Sequence, residues 1–313
     1  GRRRRSPTLA RRTIAPRASR PAACGEGYVA SDEEQRFRDV IGLGVAGNFA
    51  GHLEQAGEAA DFAGLGPADP RAPKGVFPFY VPNARGGEHF LHTYPVSSTR
   101  LRLASPGENH QIEPEVALLC DVVYANGRVS GLVPREAMAH DDCSIRRPGA
   151  KKISEKKNWG PCSKGTARDA IAIDRFAPGG VLDNFRLVSF LVRDGRVLDY
   201  GVDSSLPRYS YFYDELLECL VDRLSSQPDE GPLEDIPRWI AAAGSPARAL
   251  VSIGATRYTE LGESTFLERG DRAVVALYDA RAMDLGMVRD LVAEGPWAGV
   301  RRPGLSLLDQ RVE

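Results

Sequence analysis

Lysine is almost missing from this chain: six residues stand against 35 arginines, and five of the six fall between positions 151 and 164. Cysteine is sparse too. Cys24, Cys120, Cys143, Cys162 and Cys219 are odd in number, well separated and without a C-x-x-C pair. That argues against a disulfide framework or a structural zinc site, and sets a reducing compartment as the expectation. No stretch approaches the roughly 18 consecutive apolar residues of a membrane span, and no repeat of about 20–50 residues marks a solenoid or propeller. Acidic residues are absent from the first 20 positions, which hold eight arginines; without them the net charge of −1 becomes −9 for residues 21–313. The folded part is therefore acidic, which argues against binding a nucleic-acid backbone. Residues 1–25 read as a disordered Arg-rich leader, or as an organelle transit peptide, and residues 26–313 as a single domain. A cytoplasmic location, with neither a nucleic-acid partner nor a membrane, is the expectation that follows.

A hydrophobic share of 42% and a charged share of 27% are those of a globular domain, while 32 glycines and 22 prolines imply many turns. The sharpest local signals are two hairpins. Residues 112–125 and 128–132 flank Asn126-Gly127, and residues 185–193 and 196–200 flank Asp194-Gly195. Both dipeptides suit a type I′ turn. Residues 76–80, 99–104, 249–253 and 273–278 read as further strands, and helical spacing marks 52–60, 211–224, 236–243 and 283–292. Hairpins outnumber βαβ units, so the predicted class is α+β with a β-rich core.

Five groups of residues carry candidate chemistry. Glu113-Pro114-Glu115 projects two carboxylates from one face of a strand, because residues i and i+2 point the same way. Like charges so placed need solvent or a cation, and no Lys or Arg follows them before Arg128. Hard oxygen donors suit Mg2+, Mn2+ or Ca2+ rather than zinc; the plainer reading is an exposed edge strand blunted by Pro114. Asp141-Asp142-Cys143-Ser144-Ile145-Arg146 adds a third carboxylate, a hydroxyl and a guanidinium, or is a solvated turn. Residues 151–165, with the clustered lysines and Trp159, read as a mobile loop over an anion site or as a basic surface patch. Gly42-Leu43-Gly44-Val45-Ala46-Gly47 matches G-x-G-x-x-G, with Asp61 further on. A dinucleotide site would need a strand before that run and a helix after it; otherwise it is a glycine-rich turn. His52, at the start of a helix with acids nearby, is a general base or a structural histidine.

Taken in order, these features resemble the fumarylacetoacetate hydrolase superfamily over residues 41–279. Gly47-Asn48-Phe49-Ala50-Gly51-His52 is similar to that family's Gly-x-Asn-Tyr-x-x-His opening, with one residue fewer before the Asn. Glu113-Pro114-Glu115 matches its Glu-x-Glu strand, and Asp141 to Arg146 its Asn/Asp-Asp-x-Ser/Thr-x-Arg segment. Trp159 and Lys164 resemble its Trp-then-Lys loop, and Arg269-Gly270-Asp271 its late Pro-Gly-Asp. The wording of residues 149–160 further resembles a bacterial branch of the superfamily, not a named enzyme.

The resemblance implies a mixed β-sheet rolled into a sandwich, a homodimer, and one Mg2+ or Mn2+ (or Ca2+) held by Glu113, Glu115 and Asp142. It implies a small oxo-acid substrate, a 2-oxo or β-diketo acid, bound by Asn48, Ser144, Arg146 and Lys157. Lys164 would stabilise charge, and His52 and Glu54 would do acid/base work. The metal would act as a Lewis acid on a dicarbonyl and hold the developing enolate, in C–C hydrolysis, decarboxylation or tautomerisation. If so, the three carboxylates should cluster without an Arg or Lys bridging them. Two departures stand out. Gln55 occupies the place of the Glu that the family has three residues after its His, while Glu54 lies about 200° around a helix from His52. Gly254-Ala255-Thr256-Arg257 stands where the family has Gly-Thr-Pro-x-Gly. Hydrolase, decarboxylase and isomerase stay open, and the alternatives are a binding protein without turnover and an NAD-binding oxidoreductase.

Overall fold

The computed structural model describes residue 1 and residues 36–313, apart from 63, 66–68, 84–88, 106, 148 and 297–300. The Arg-rich leader, Gly1 aside, lies outside the described residues. Ser31–Glu313 cluster as one unit.

In chain order the strands are β1 Ile41–Ala46, β2 Gly75–Tyr80, β3 Val96–Ser97, β4 Arg100–Leu101, β5 His110–Gln111, β6 Pro114–Ala125, β7 Arg128–Asp141 and β8 Ser144–Ile145. They continue as β9 Lys164–Thr166, β10 Ile171–Ala172, β11 Phe185–Arg193, β12 Arg196–Ser205, β13 Arg248–Ser252, β14 Arg272–Asp279 and β15 Leu305–Val312. The helices are α1 His52–Gln55, α2 Tyr213–Ser226, α3 Ile236–Ala242, α4 Glu260–Ser264 and α5 Leu285–Glu294. One eight-stranded sheet runs β2-β1-β13-β6-β7-β9-β3, with β10 against β7; a second runs β12-β11-β14-β15-β4, and β5 pairs with β8.

Both expected hairpins form. Asn126 (φ 52°) and Gly127 (φ 74°) turn β6 into β7, and Asp194 (φ 51°) and Gly195 (φ 72°) turn β11 into β12. Two successive left-handed residues match the right-handed twist of the flanking strands. β7 runs well past its expected end, because its second half pairs with the buried first half of β6, Pro114 opposite Asp141. Inner faces of the two sheets share one core: Val116 and Leu118, Ala137 and Ala139 from the first, Leu187, Val275 and Leu308 from the second. Leu216, Leu220 and Leu224, four residues apart on α2, close that core from the side. On the outer face of the second sheet, Val288, Leu291 and Val292 of α5 pack on Val188, Phe190 and Val274. The class is α+β and strand-rich. Among the described residues no helix is long and apolar enough to cross a membrane.

The dinucleotide reading is overturned. Gly42 and Gly44 lie within β1, antiparallel to β2 and parallel to β13, and only a four-residue helix follows. Asp61 sits in a 3-10 turn, Ala59–Phe62, and ends no strand. A Cβ at Gly42 or Gly44 would lie 2.2 Å from the ring of Phe79 or Phe77. These glycines seat aromatic rings from β2; they do not cradle a pyrophosphate.

Candidate metal centre

The buried ends of β6 and β7 build the site. Glu115 pairs with His140 and Pro114 with Asp141. The Asp142 amide donates to the Glu113 carbonyl (3.1 Å), carrying the ladder one step further. Alternation along the strand puts Glu113 and Glu115 on one face, and the register sets Asp142 beside Glu113. All three are buried, and one carboxylate oxygen from each lies within 4.8 Å of the others. Oxygens sharing an ion at about 2.0–2.6 Å stand up to about 4–5 Å apart, so this donor set fits a single Mg2+, Mn2+ or Ca2+. His52, Glu58, Phe77 and Lys157 are also among the residues that line a cavity of ≈20 Å³ above the three acids, room for about one water-sized species. A roomier cavity of ≈560 Å³, beside the Gly127 turn and the end of α2, has only Arg128 and Asp235 as charged lining.

The expectation of an unbridged acid cluster does not hold. Lys157 Nζ stands 2.5 Å from Glu113 Oε2 and 2.6 Å from Asp142 Oδ2. Arg146 Nη2 lies 2.8 Å from Glu113 Oε1, and Lys164 Nζ 2.9 Å from Asp142 Oδ1. Arg146 closes the same six-residue segment as Asp142, while Lys157 and Lys164 arrive from later in the chain, and carboxylates buried this deeply stay charged only beside cations. Glu115 is treated differently. It accepts from the Ser252 hydroxyl and the Gly254 amide (2.7 Å), both neutral donors. Burial pushes its carboxyl well above the usual range, and the Asp142 charge adds to the effect. Burial acts on Glu113 as well, but there Lys157 and Arg146 outweigh it and hold the carboxyl well below the usual range. Adjacent acids driven in opposite directions mark a candidate functional site. Asp141, whose Oδ1 accepts the Glu113 amide (2.9 Å), is pushed up to about 7 by burial.

His52 faces the cavity from α1, its ring 5.3 Å from that of Tyr258. Burial is the main cause holding its pKa below the ordinary value, so the imidazole is neutral at pH 7. Gln55 turns away: it donates to the Tyr258 carbonyl (3.1 Å) and accepts the Tyr258 amide (3.0 Å). Glu54 is exposed on α1, as its angle from His52 requires, and leaves the acid/base set. Asn48 is also corrected. Its carboxamide is taken up by backbone, donating to Tyr211 O (3.1 Å) and Ile253 O (2.8 Å) and accepting from Tyr211 N (2.9 Å). Ser144 lies in β8 opposite Gln111, outside the cavity lining. Lys164 grips Asp142 from behind, donating to the carbonyls of Asp142 (2.9 Å) and Cys143 (2.7 Å), and does not line the cavity. Of the four substrate-binding candidates only Lys157 lines it. Arg146 stands one layer out, donating to Gln111 (2.5 Å), Glu58 (3.0 Å) and the Tyr258 hydroxyl (2.7 Å).

Glu58 is the residue that sequence reasoning missed. Its amide donates to the Leu53 carbonyl (2.9 Å), so the chain after α1 curls back and brings the side chain into the cavity wall. The available signal was Gly57, a left-handed residue (φ 70°) that ends the turn and redirects the next side chain. Burial opposes the Glu58 charge, but Arg146 above all, with Lys156, holds its carboxyl below the ordinary value. The lysine loop is docked: Lys152 Nζ donates to Asp229 (2.8 Å) and to the Gly231 and Leu233 carbonyls, and a 3-10 turn, Ile153–Lys156, then delivers Lys156 and Lys157 inward.

A family model described as a family of unknown function, DUF5718, matches residues 58–312. No curated protein sequence matches the chain. Among solved structures, Cg1458 with inhibitor is similar at 15% identity and a TM-score of 0.49, covering 87% of this chain and 76% of that one. A protein from Yersinia pestis CO92 assigned to the fumarylacetoacetate hydrolase family is similar at 12% identity and a TM-score of 0.48, covering 88% and 94%. 2-Keto-3-deoxy-D-arabinonate dehydratase complexed with magnesium and 2,5-dioxopentanoate is similar at 15% identity and a TM-score of 0.45, covering 93% and 83%.

Proposed function

The chain belongs to the family of unknown function DUF5718, and we propose that it is a divalent-metal-dependent enzyme acting on a small 2-oxo or β-diketo acid, by hydrolysis, decarboxylation or tautomerisation. The observation that carries this reading is the buried trio Glu113, Glu115 and Asp142, with converging oxygens in a cavity shared with a neutral His52. The motif order resembling the fumarylacetoacetate hydrolase superfamily supports it. Glu113, Glu115 and Asp142 would hold Mg2+ or Mn2+, with Ca2+ compatible with the same donors; when bound, the ion supplies a Lewis acid for carbonyl oxygens. His52, kept neutral by burial, takes up a proton from carbon or water. Lys157, whose ammonium is held charged by Asp142 and Glu113 against the cost of burial, meets the negative charge of the substrate. Leu53 and Phe77 exclude water from the remaining wall. A cytoplasmic homodimer is part of the same proposal.

Gln55 favours a second reading, binding without turnover, because it bonds backbone and leaves His52 without a carboxylate three residues on. Assays of acylpyruvates and oxaloacetate with Mn2+ or Mg2+ decide between the two, alongside Mn2+ titration calorimetry of the wild type and Glu115→Ala. Metal-dependent turnover and a loss of about tenfold or more in Mn2+ affinity for Glu115→Ala are expected. Metal-dependent substrate binding without product would leave the binding-protein reading. Wild-type Mn2+ affinity in the variant would remove the metal site.

A further inference from the structure

Two cavities meet at one side chain. The ≈20 Å³ cavity above Glu113, Glu115 and Asp142 has Glu58 in its wall, and so does a surface cleft of ≈390 Å³ lined by Gly57, Asp61, Arg146, Arg147 and Lys156. Glu58 is the side chain common to both linings. A single oxygen of it, Oε1, accepts from Arg146 Nη1 (3.0 Å) and from Lys156 Nζ (2.8 Å). Only 12% of the Arg146 side chain and 7% of the Lys156 side chain are exposed. Asp61, the other acid near Lys156, is more distant (3.4 Å) and half exposed. A guanidinium and an ammonium converging on one oxygen form an arrangement suited to the carboxylate of a ligand. Glu58 lies between α1 and the Ala59–Phe62 turn, directly after Gly57, and no atom of the described residues stands within 4 Å of where a Gly57 Cβ would be.

We propose that Arg146 and Lys156 form a carboxylate subsite at the mouth of the metal centre, that Glu58 stoppers this subsite with the chain's own carboxylate, and that a distal carboxylate on the substrate displaces it. The proposal rests on the oxo-acid reading above for its ligand class and deepens it. It selects oxo acids with a second carboxylate over those without one, and it opens the small cavity to the cleft in the same movement.

Titration calorimetry with Mn2+ present tests it, comparing 2-oxoglutarate, which has a distal carboxylate, with 2-oxobutyrate, which lacks one. In Glu58→Gln the competing charge is gone, so 2-oxoglutarate should bind about tenfold tighter or more while 2-oxobutyrate stays within about twofold. Adding Lys156→Gln to that variant should erase the preference. Unchanged or weaker 2-oxoglutarate binding by folded Glu58→Gln overturns the proposal, as does equal tightening of both ligands. Should Glu58→Gln fail to fold, Lys156→Gln alone decides: it should weaken 2-oxoglutarate and spare 2-oxobutyrate, and equal affinities for wild type and variant overturn the subsite. Mn2+ binding is measured first by itself. Its failure counts against the proposed function, and the same ligand comparison in EDTA then decides the subsite independently.

Discussion

Asp271 and Asp142 are both buried acids that belong to short motifs, and the protein surrounds them in opposite ways. Asp271 accepts Arg193 through two parallel bonds (2.8 and 2.7 Å) and the Glu268 amide (2.8 Å). Arg193 is the last residue of β11, so this pair ties the β11–β12 hairpin to the loop before β14. The guanidinium is part-exposed and also meets the exposed Glu268 carboxylate (3.0 Å) and the Phe266 carbonyl (2.8 Å). Asp271 thus rests on a single cation that water can reach. Around Asp142 the charges are shared: Lys157 serves Asp142 and Glu113, and Arg146 serves Glu113 and Glu58. Glu115, in the same group, is left with neutral donors. An acid held by one part-exposed cation is a fastener. A network whose carboxyls are driven in opposite directions keeps the capacity to take up a further cation.

Removing a shared cation should have the largest effect on this contrast. Lys157→Met leaves Glu113 and Asp142 without their common partner and should cost about 3–5 kcal/mol in metal-free urea unfolding at pH 7.5. Saturating Mn2+ should restore a large part of that loss. A cost under about 1 kcal/mol would mean that the acids share protons and need no cation.

A pH series should come next in size. Asp141 and Glu115 have raised pKa values in the fold, so the folded protein binds the extra protons. Their contribution is full below the ordinary carboxylate range and is lost as pH rises, through about 7 for Asp141. Glu113, held low, contributes fully above the ordinary range and loses its contribution only in strong acid. Burial of His52 and His140 lowers their pKa values and acts in the opposite sense over the same window, so the Asp141 share is read by difference. In EDTA the wild type should lose about 2 kcal/mol or more relative to Asp141→Asn between pH 5 and pH 8. Saturating Mn2+ should shrink that difference, because metals bind deprotonated carboxylates. Equal pH slopes for wild type and Asp141→Asn would erase the distinction between the two regions.

The smallest effect belongs to the fastener. Asp271→Asn should cost about 1.5–3 kcal/mol, with Mn2+ affinity within about twofold of wild type and the pH slope unchanged. A tenfold change in Mn2+ affinity would show that the hairpin and the metal centre are one system.

Legibility in the sequence followed the range of the interactions. Asn126-Gly127 and Asp194-Gly195 announce their hairpins because a two-residue turn is set by its own backbone preferences. Glu113 and Glu115 announce a shared face because alternation is local too. The partner of that face, Asp142, came from the family resemblance, and the register of β6 against β7 places it there. The cations did not announce themselves. Lys157 was legible as a member of a lysine cluster, but its position between two carboxylates depends on the docking of residues 152–154 on residues 229–234. Asn48 and Glu54 went astray for a related reason: residue type suggested chemistry, while backbone bonding took Asn48 and the angle around α1 took Glu54. β15 and the short β3 and β9 were not predicted either, since strands this far apart in sequence become strands only by pairing.

The ring of Phe77 rests where a Cβ of Gly44 would be and lies 5.4 Å from the Lys157 ammonium. Position 44, with no side chain and no chemistry, thus sets the height of the surface beside which the Lys157 ammonium sits. Any side chain there lifts the ring, and a smaller residue at 77 is the compensation that lets both fit. In diverging descendants of this chain, positions 44 and 77 should therefore change as a pair or not at all, and the inheritance of the charge centre is recorded partly in a glycine.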